Sequence, residues 1–467
     1  MKSLNRSNIK VTKRPIKVLQ FGEGNFLRGF VDWMIDVMNE KTDFNGDVQI
    51  VQPIAQGLGE FINQQDGLFH VQLEGIQSGE LVQENRLVTC VRGVLNPFED
   101  YDAYLRLGEN NDLKFVVSNT TEAGITFDSA DKSFETLPLT FPGKLTALLY
   151  HRFKTFSGNP SKGLVMIPCE LIDKNGIQLK STVLDYAKLW DLPESFIKWI
   201  NDHNIFCNTL VDRIVPGFPK EKIKEIQNEL GYEDNLVVMA EPFHFWVIEG
   251  PSGLEELFPA PQAGLQVKFV KDQSPYRTRK VRILNGAHTA LVPVAYLHGL
   301  RTVREAMEDP VISKFIQETI YDEIIPTLDL PKEELDKFAS DVLDRFRNPF
   351  IHHELISIAL NSVSKFKVRV LPSLLEYHRR TGNWPQNLTK SLAALIKFYS
   401  GKTDQETITL NDDAPVLEFF GKIWQEDDLS VIVSETLGRV DFWGEDLREY
   451  EGLEEYVLKQ FEVFQKV

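Results

Sequence analysis

Residues 16–29 read IKVLQFGEGNFLRG: a short, mainly apolar run from Ile16 to Phe21, followed at once by Gly22 and Gly24. Such a run bounded by glycines reads as a buried strand. The period then changes, because Phe30, Trp33, Met34, Val37 and Met38 fall at i, i+3, i+4, i+7 and i+8, one face of an amphipathic helix. Strand, glycine loop and helix together are the context in which a G-x-G loop holds a dinucleotide. The first glycine permits a tight turn, the second lets backbone approach a pyrophosphate, and the helix N-terminus offers unpaired N–H groups. Phe21, Gly22, Glu23, Gly24, Asn25, Phe26, Leu27, Arg28 and Gly29 form the candidate cofactor loop, with Arg28 near the phosphate position. Two glycines after a strand also make a plain turn, and the third glycine of the standard spacing is Leu27 here, so this loop alone leaves both readings open.

Outward from the loop, Val48 to Val51, Leu113 to Val117, Gly163 to Ile167 and Leu236 to Met239 are further short apolar runs separated by helical or loop sequence. That alternation predicts a parallel α/β sheet covered on both faces. After about residue 275 helical patterns dominate. The expected organisation is an α/β dinucleotide-binding domain over 1–270 and a mainly α-helical substrate and catalytic domain over 271–467, with the Pro- and Gly-rich stretch Val247 to Tyr276 as connector. No acid closes the second strand to hold an adenosine ribose; Gln52 stands there, and no Lys or Arg between Gln52 and Gly59 awaits a 2′-phosphate. A second polar loop, Ser118 to Gly124, follows the run 113–117 at its carboxyl end, which makes Asn119, Thr120, Thr121 and Glu122 cofactor candidates as well.

With 51 Lys and Arg against 68 Asp and Glu, the net charge of −17 argues against a nucleic-acid partner. The three cysteines are far apart and make neither a disulfide framework nor a C-x-x-C pair, which fits a reducing cytoplasm. The apolar run Val18 to Phe21 is too short for a signal-peptide core, and nothing else points to a membrane or to an obligate protein partner. A small anionic substrate would need a local cationic cluster on so acidic a chain. Residues 344–349 and 364–369 are the densest basic clusters of the helical region, so Arg347 and Lys365 are candidates to hold a carboxylate, although either can also belong to a solvated helix face. His352-His353-Glu354 lacks metal-ligand spacing, and no metal is expected.

Residues 276–290, YRTRKVRILNGAHTA, carry the candidate chemistry. Read as one α-helix, about 100° per residue puts Lys280, His288 and Asn285 at 0°, about 80° and about 140°, all on one side. These side chains suit carbonyl reduction: Lys exchanges a proton with the alcohol oxygen, Asn donates to a developing alkoxide, and His orients a neighbouring hydroxyl. A lysine that accepts a proton near neutrality needs its ammonium destabilised, and Arg277, Arg279 and Arg282 offer like charge. The plain alternative is a basic helix start followed by a core histidine.

Lys280, Asn285 and His288 match the Lys, four residues, Asn, two residues, His signature, and here the chain resembles the polyol-specific long-chain dehydrogenases of the mannitol dehydrogenase type. Gly22, Gly24, Phe26 and Arg28, residues 65–68, 121–124, 211–214 and 241–243 extend the resemblance over nearly the whole chain. The strings QFGEGNFLRGFVDW, SNTTEAGI, IPCELIDKNG and ILNGAHTALVPVA resemble the branch that acts on hexuronate-derived sugar acids. The resemblance implies an N-terminal Rossmann-type domain and a helical C-terminal domain. It also implies NAD as cofactor and interconversion of D-altronate and D-tagaturonate in hexuronate breakdown. Lys280 is then the general acid/base, Asn285 the oxyanion donor and His288 the substrate-orienting group. Polyol members usually carry Cys-Asp-Asn where this chain has Cys169-Glu170-Leu171, so one oxyanion-hole asparagine is absent, with Asn175 or Asn119 as replacements. Glu170 joins Arg347 and Lys365 as a substrate-binding candidate. A fructuronate reductase or a neutral polyol dehydrogenase is the nearest alternative. A nucleotide-binding sensor without catalysis, or a methyltransferase, is the alternative from another class; the first has no use for Lys280, Asn285 and His288 together, and the second wants an acid after the second strand.

Overall fold

Ile16–Phe21 (β1) is the centre of a six-stranded sheet in the computed structural model, which describes residues 1–121, 123–403 and 406–464. The other strands are Asp47–Val51 (β2), Val91–Leu95 (β3), Phe115–Ser118 (β4), Val165–Pro168 (β5) and Ile205–Phe206 (β6). Their order is β3-β2-β1-β4-β5-β6 and every pairing is parallel. This is the doubly wound dinucleotide order, in which strand order reverses between β1 and β4. A strand inside such a sheet buries both faces. Val18 packs with Phe30, Val31 and Met34 on one side, while Leu19 and Phe21 pack with Leu145, Leu148 and Leu149 on the other. Phe21 pairs with both Val51 and Ser118, so β1, β2 and β4 end level with one another.

Two expectations change. Leu236 to Met239 does not join this sheet: Val238–Ala240 pairs with Phe69–Gln77, which in turn pairs with Glu80–Val88. A short apolar run signals a buried strand but carries nothing about its partner. The stretch 247–276 is not a free connector either, because Phe245–Glu249 and Val267–Val270 pair in a third sheet, with Asn208–Asp212 on its other edge. Its glycines serve turns inside that layer, Gly253 at φ 91° and Gly264 at φ 80°.

The chain forms two compact units, Met1–Glu74 with Val82–Gln273, and Gly75–Leu81 with the chain from Ser274 onward. The short inserted segment is the tip of the hairpin Phe69–Gln77 and Glu80–Val88. Its two-residue loop, Ser78 (φ 55°) and Gly79 (φ 78°), has the positive φ pair that suits the twist of a hairpin. Gly79 N–H donates to Asp344 Oδ2 at 3.0 Å. The second unit is mainly helical, as expected from its sequence. Ala287–Leu297 packs beside Gln386–Phe398, whose Ala393 and Ala394 are fully buried and whose Ser391 hydroxyl donates to Ala290 O at 2.8 Å. Among the described residues no helix is long and apolar enough to cross a membrane. All three cysteines are free and buried.

Candidate active site

The glycine loop leaves β1 at the point where strand order reverses. Gly22 sits at φ 119°, and a Cβ there would meet Asn119 O at 3.1 Å, so the turn needs glycine for both conformation and space. Gly22 N–H donates to Val51 O and Asn119 N–H to Phe21 O, which fixes both candidate loops to the level ends of the strands. A Cβ on Gly24 would meet nothing within 4 Å. The helical residues that follow begin at Asn25 with no side-chain cap, leaving first-turn N–H groups to a ligand. An open second glycine and an uncapped helix start are what a pyrophosphate needs. The close packing that a third glycine would provide is found at Gly29, where a Cβ would lie 2.9 Å from Val238 Cγ1.

Arg28 is not placed to meet a phosphate through its side chain. It is 2% exposed, and its guanidinium donates to Glu23 O, Leu236 O and Asn25 Oδ1 while lying over Phe69. Burial lowers its pKa to about 10, so it remains charged. Leu27 is buried, and Phe26 stacks on Phe30 with ring centroids 5.0 Å apart. Glu23 is buried too; its carboxylate accepts from Leu58 N–H, and burial raises its pKa.

Gln52 is likewise engaged within the protein, where its amide donates to Ile54 O and Ala55 O and accepts from Gly59 N–H. Beside it a cavity of about 680 Å³ opens at the ends of β2 and β3, with Gln56, Asn63, Asn96, Glu60 and Glu99 in its wall and, among the described residues, no Lys or Arg. A second cavity, about 570 Å³, lies where the two loops diverge and is lined by Phe26, Asn119, Thr121, Ala123, Cys169, Leu171 and Val211. The wall of the first cavity could not be named from sequence, since polar residues scattered over 52–99 have no motif.

Glu170 turns away from the substrate role expected for it. It is 2% exposed, and its carboxylate accepts from Ser118 Oγ, Thr120 N–H and Thr120 Oγ1 at 2.9–3.0 Å, bracing the second loop. Burial nonetheless raises its pKa. Thr121 takes φ 78°, and Glu122 lies outside the described residues. Asn175 is excluded as a replacement oxyanion donor: it is fully buried, donating to Pro168 O and Glu170 O and accepting from Thr209 N–H. Asn119 lines the second cavity and keeps its side chain half-buried.

In the second unit the segment 276–290 is not one straight α-helix. Ser274–Arg279 is α-helical, Lys280–Gly286 is a π-helical turn, and Ala287–Leu297 is α-helical again. The angles expected from 100° per residue therefore do not hold. In i→i+5 geometry Asn285 stands one hydrogen-bonded span beyond Lys280, closer to the same face than α-helical spacing would put it; turns of this kind recur at functional sites. His288 follows at the first turn of the next helix. Its ring stacks on Phe346 at 4.0 Å and meets His353 edge-on at 5.3 Å, and among the described residues its Nε2 has no hydrogen-bond partner. Burial first, then the charges of His353, Arg345 and Arg369, hold its pKa well below the ordinary value, so the imidazole is neutral.

The arginines around Lys280 are partly accounted for. Arg279 is buried, pairs with Glu334 at 3.1 Å and lies over Phe338, whereas Arg282 donates to Ser373 Oγ at 3.1 Å. Of the carboxylate candidates, Arg347 pairs with Asp344 at 3.8 Å, and the Lys365 ammonium donates to Ile358 O at 2.9 Å. Among the described residues no group of three or more His, Cys, Asp or Glu side chains could hold a metal ion.

Two family models match the chain: the mannitol dehydrogenase Rossmann domain over residues 16–257 and the mannitol dehydrogenase C-terminal domain over 272–465. An altronate oxidoreductase of Bacillus subtilis (strain 168) is 52% identical over 440 residues, 94% of this chain and 90% of that protein. The altronate oxidoreductase of Phocaeicola vulgatus is 48% identical over 455 residues, 97% of this chain and 95% of that protein. Among solved structures, a D-sorbitol dehydrogenase in substrate-free form shares the fold at a TM-score of 0.83 and 22% identity, covering 100% of this chain and 98% of that one. The Pseudomonas fluorescens mannitol 2-dehydrogenase complex with NAD and D-mannitol does so at 0.64 and 22%, covering 99% and 97%.

Proposed function

Because the chain belongs to the mannitol dehydrogenase family, and is thus a dehydrogenase acting on CH–OH groups, we propose that it interconverts D-altronate and D-tagaturonate with NAD as the hydride carrier. The near-full-length identity to altronate oxidoreductases carries this reading. The choice of NAD over NADP draws on the wall of the cavity at the ends of β2 and β3, which among the described residues has two acids and no cation to meet a 2′-phosphate.

The glycine loop and the uncapped helix start would hold the pyrophosphate through backbone N–H groups, with Glu170 keeping the loop of Asn119 to Thr121 in place. When bound, the dinucleotide supplies the acceptor or donor of the hydride. The remaining work falls to residues of the π-helical turn and of the first turn of the helix that follows it. In oxidation Lys280 takes the hydroxyl proton as the hydride leaves the same carbon, and in reduction it returns that proton to the oxygen. The Asn285 amide donates to the oxygen while it carries negative charge. His288, neutral through burial, orients a substrate hydroxyl without adding a charge of its own.

The test is NADH oxidation by the purified enzyme with D-tagaturonate, D-fructuronate and D-fructose in parallel. The expected result is highest kcat/KM for D-tagaturonate and a weaker rate with NADPH. A clear preference for D-fructuronate or for D-fructose would replace the proposed substrate.

A further inference from the structure

Arg369 ends the helix Ser362–Arg369, and its backbone lies against the π-helical turn: a Cβ on Gly286 would come within 2.8 Å of Arg369 O. Glycine at 286, between Asn285 and Ala287, is what allows so close an approach. Arg369 therefore leaves the backbone beside the turn that carries Lys280 and Asn285. Burial is the first cause that lowers the pKa of His288 and of Lys365, and the charge of Arg369 adds to it at both.

Among the described residues Arg369 has no counter-ion, unlike the partnered cations around it. The side chain is half-buried, burial alone lowers its pKa, and among the described residues no carboxylate offsets that cost. Arg279 has Glu334, Arg347 has Asp344, and Lys365 has a backbone carbonyl. Withdrawing a guanidinium from water without an anion is unfavourable, and an arriving carboxylate removes the penalty while accepting two parallel N–H donors. We infer that Arg369 is the residue that grips the substrate's carboxylate, with Lys365 adding a second positive charge, and that this grip separates sugar acids from neutral ketoses. The inference rests on the sugar-acid reading above and gives the specificity to a residue other than Arg347, whose charge Asp344 already meets.

The experiment measures kcat/KM of the full-length enzyme with NADH for D-tagaturonate and for D-tagatose, its neutral counterpart, in the wild type, Arg369→Gln and Arg369→Lys. The wild type should favour the acid. Arg369→Gln should lower the acid-to-neutral ratio about tenfold or more, mainly through KM for the acid, the scale of one lost charge-assisted contact. Arg369→Lys keeps a charge without the fork and should fall between the two. It also keeps the inference testable if the glutamine variant does not fold. A ratio unchanged in both variants that fold, or in Arg369→Lys alone when only it folds, overturns the role of Arg369 and leaves the sugar-acid reading standing. A wild type that favours D-tagatose overturns that reading and the inference with it.

Discussion

Arg28 shows how the surroundings of one residue decide its use. Its position four residues after Gly24 suits a phosphate ligand, yet the side chain points into the protein and ties the loop to Leu236 O and Glu23 O. Replacing it should therefore cost stability before it costs affinity. Arg28→Lys loses the fork and leaves buried carbonyls unpaired, so unfolding in urea should show a loss of about 2 kcal/mol, the scale of hydrogen bonds to a charged donor. A variant of unchanged stability with weakened NADH binding would return Arg28 to the phosphate. Gly22 and Gly24 were legible because backbone conformation and empty space are properties of glycine itself. The directions taken by Arg28, Gln52 and Glu170 were not, since a long polar side chain reaches several places from one position and tertiary packing selects among them.

At the level of elements, the helix Gln386–Phe398 supports Ala287–Leu297, and the carboxylate of Glu323 holds its start by accepting from Asn387 and Leu388 N–H at 2.7 Å each. Burial raises the Glu323 pKa to about 7, above the ordinary 4.5. The folded state thus binds a proton that the unfolded chain releases, so the contribution of Glu323 is fully present below pH 4.5 and is lost as pH rises through about 7. The size of that loss is about 3 kcal/mol at most. Asp32, pushed to about 7 by burial in the first unit, acts with the same sign. Urea unfolding of wild type and Glu323→Gln from pH 4.5 to 8 separates them: the variant should lose less stability over that interval, and parallel curves would remove Glu323 from the account. Both helices belong to the helical pattern read after about residue 275, but their pairing does not follow from it, since Ala287–Leu297 is apolar and buried almost all round. The π-helical turn at Lys280–Gly286 does not follow either, because its extra residue per hydrogen-bonded ring has no side-chain signature and is set by what packs against it.

At the scale of the whole molecule, the proposed chemistry divides between the two units. The parallel sheet and glycine loop of the first unit are read from alternating strands and helices, and the Lys, Asn and His pattern of the second from its spacing. The sheet partner of the strand Val238–Ala240 and the unit to which the hairpin tip Gly75–Leu81 belongs were not legible, because sheet partners and unit membership are set by contacts distant in sequence. If the first unit binds the cofactor and Lys280 moves the proton, the two functions separate in one variant. The decisive measurement is a single turnover of Lys280→Ala with NADH and D-tagaturonate, alongside its NADH affinity. The account predicts a hydride-transfer rate at least ~100-fold below wild type, the low end for general acid–base catalysis, with NADH affinity close to wild type. A variant that kept most of its rate, or that lost NADH binding together with it, would contradict the account.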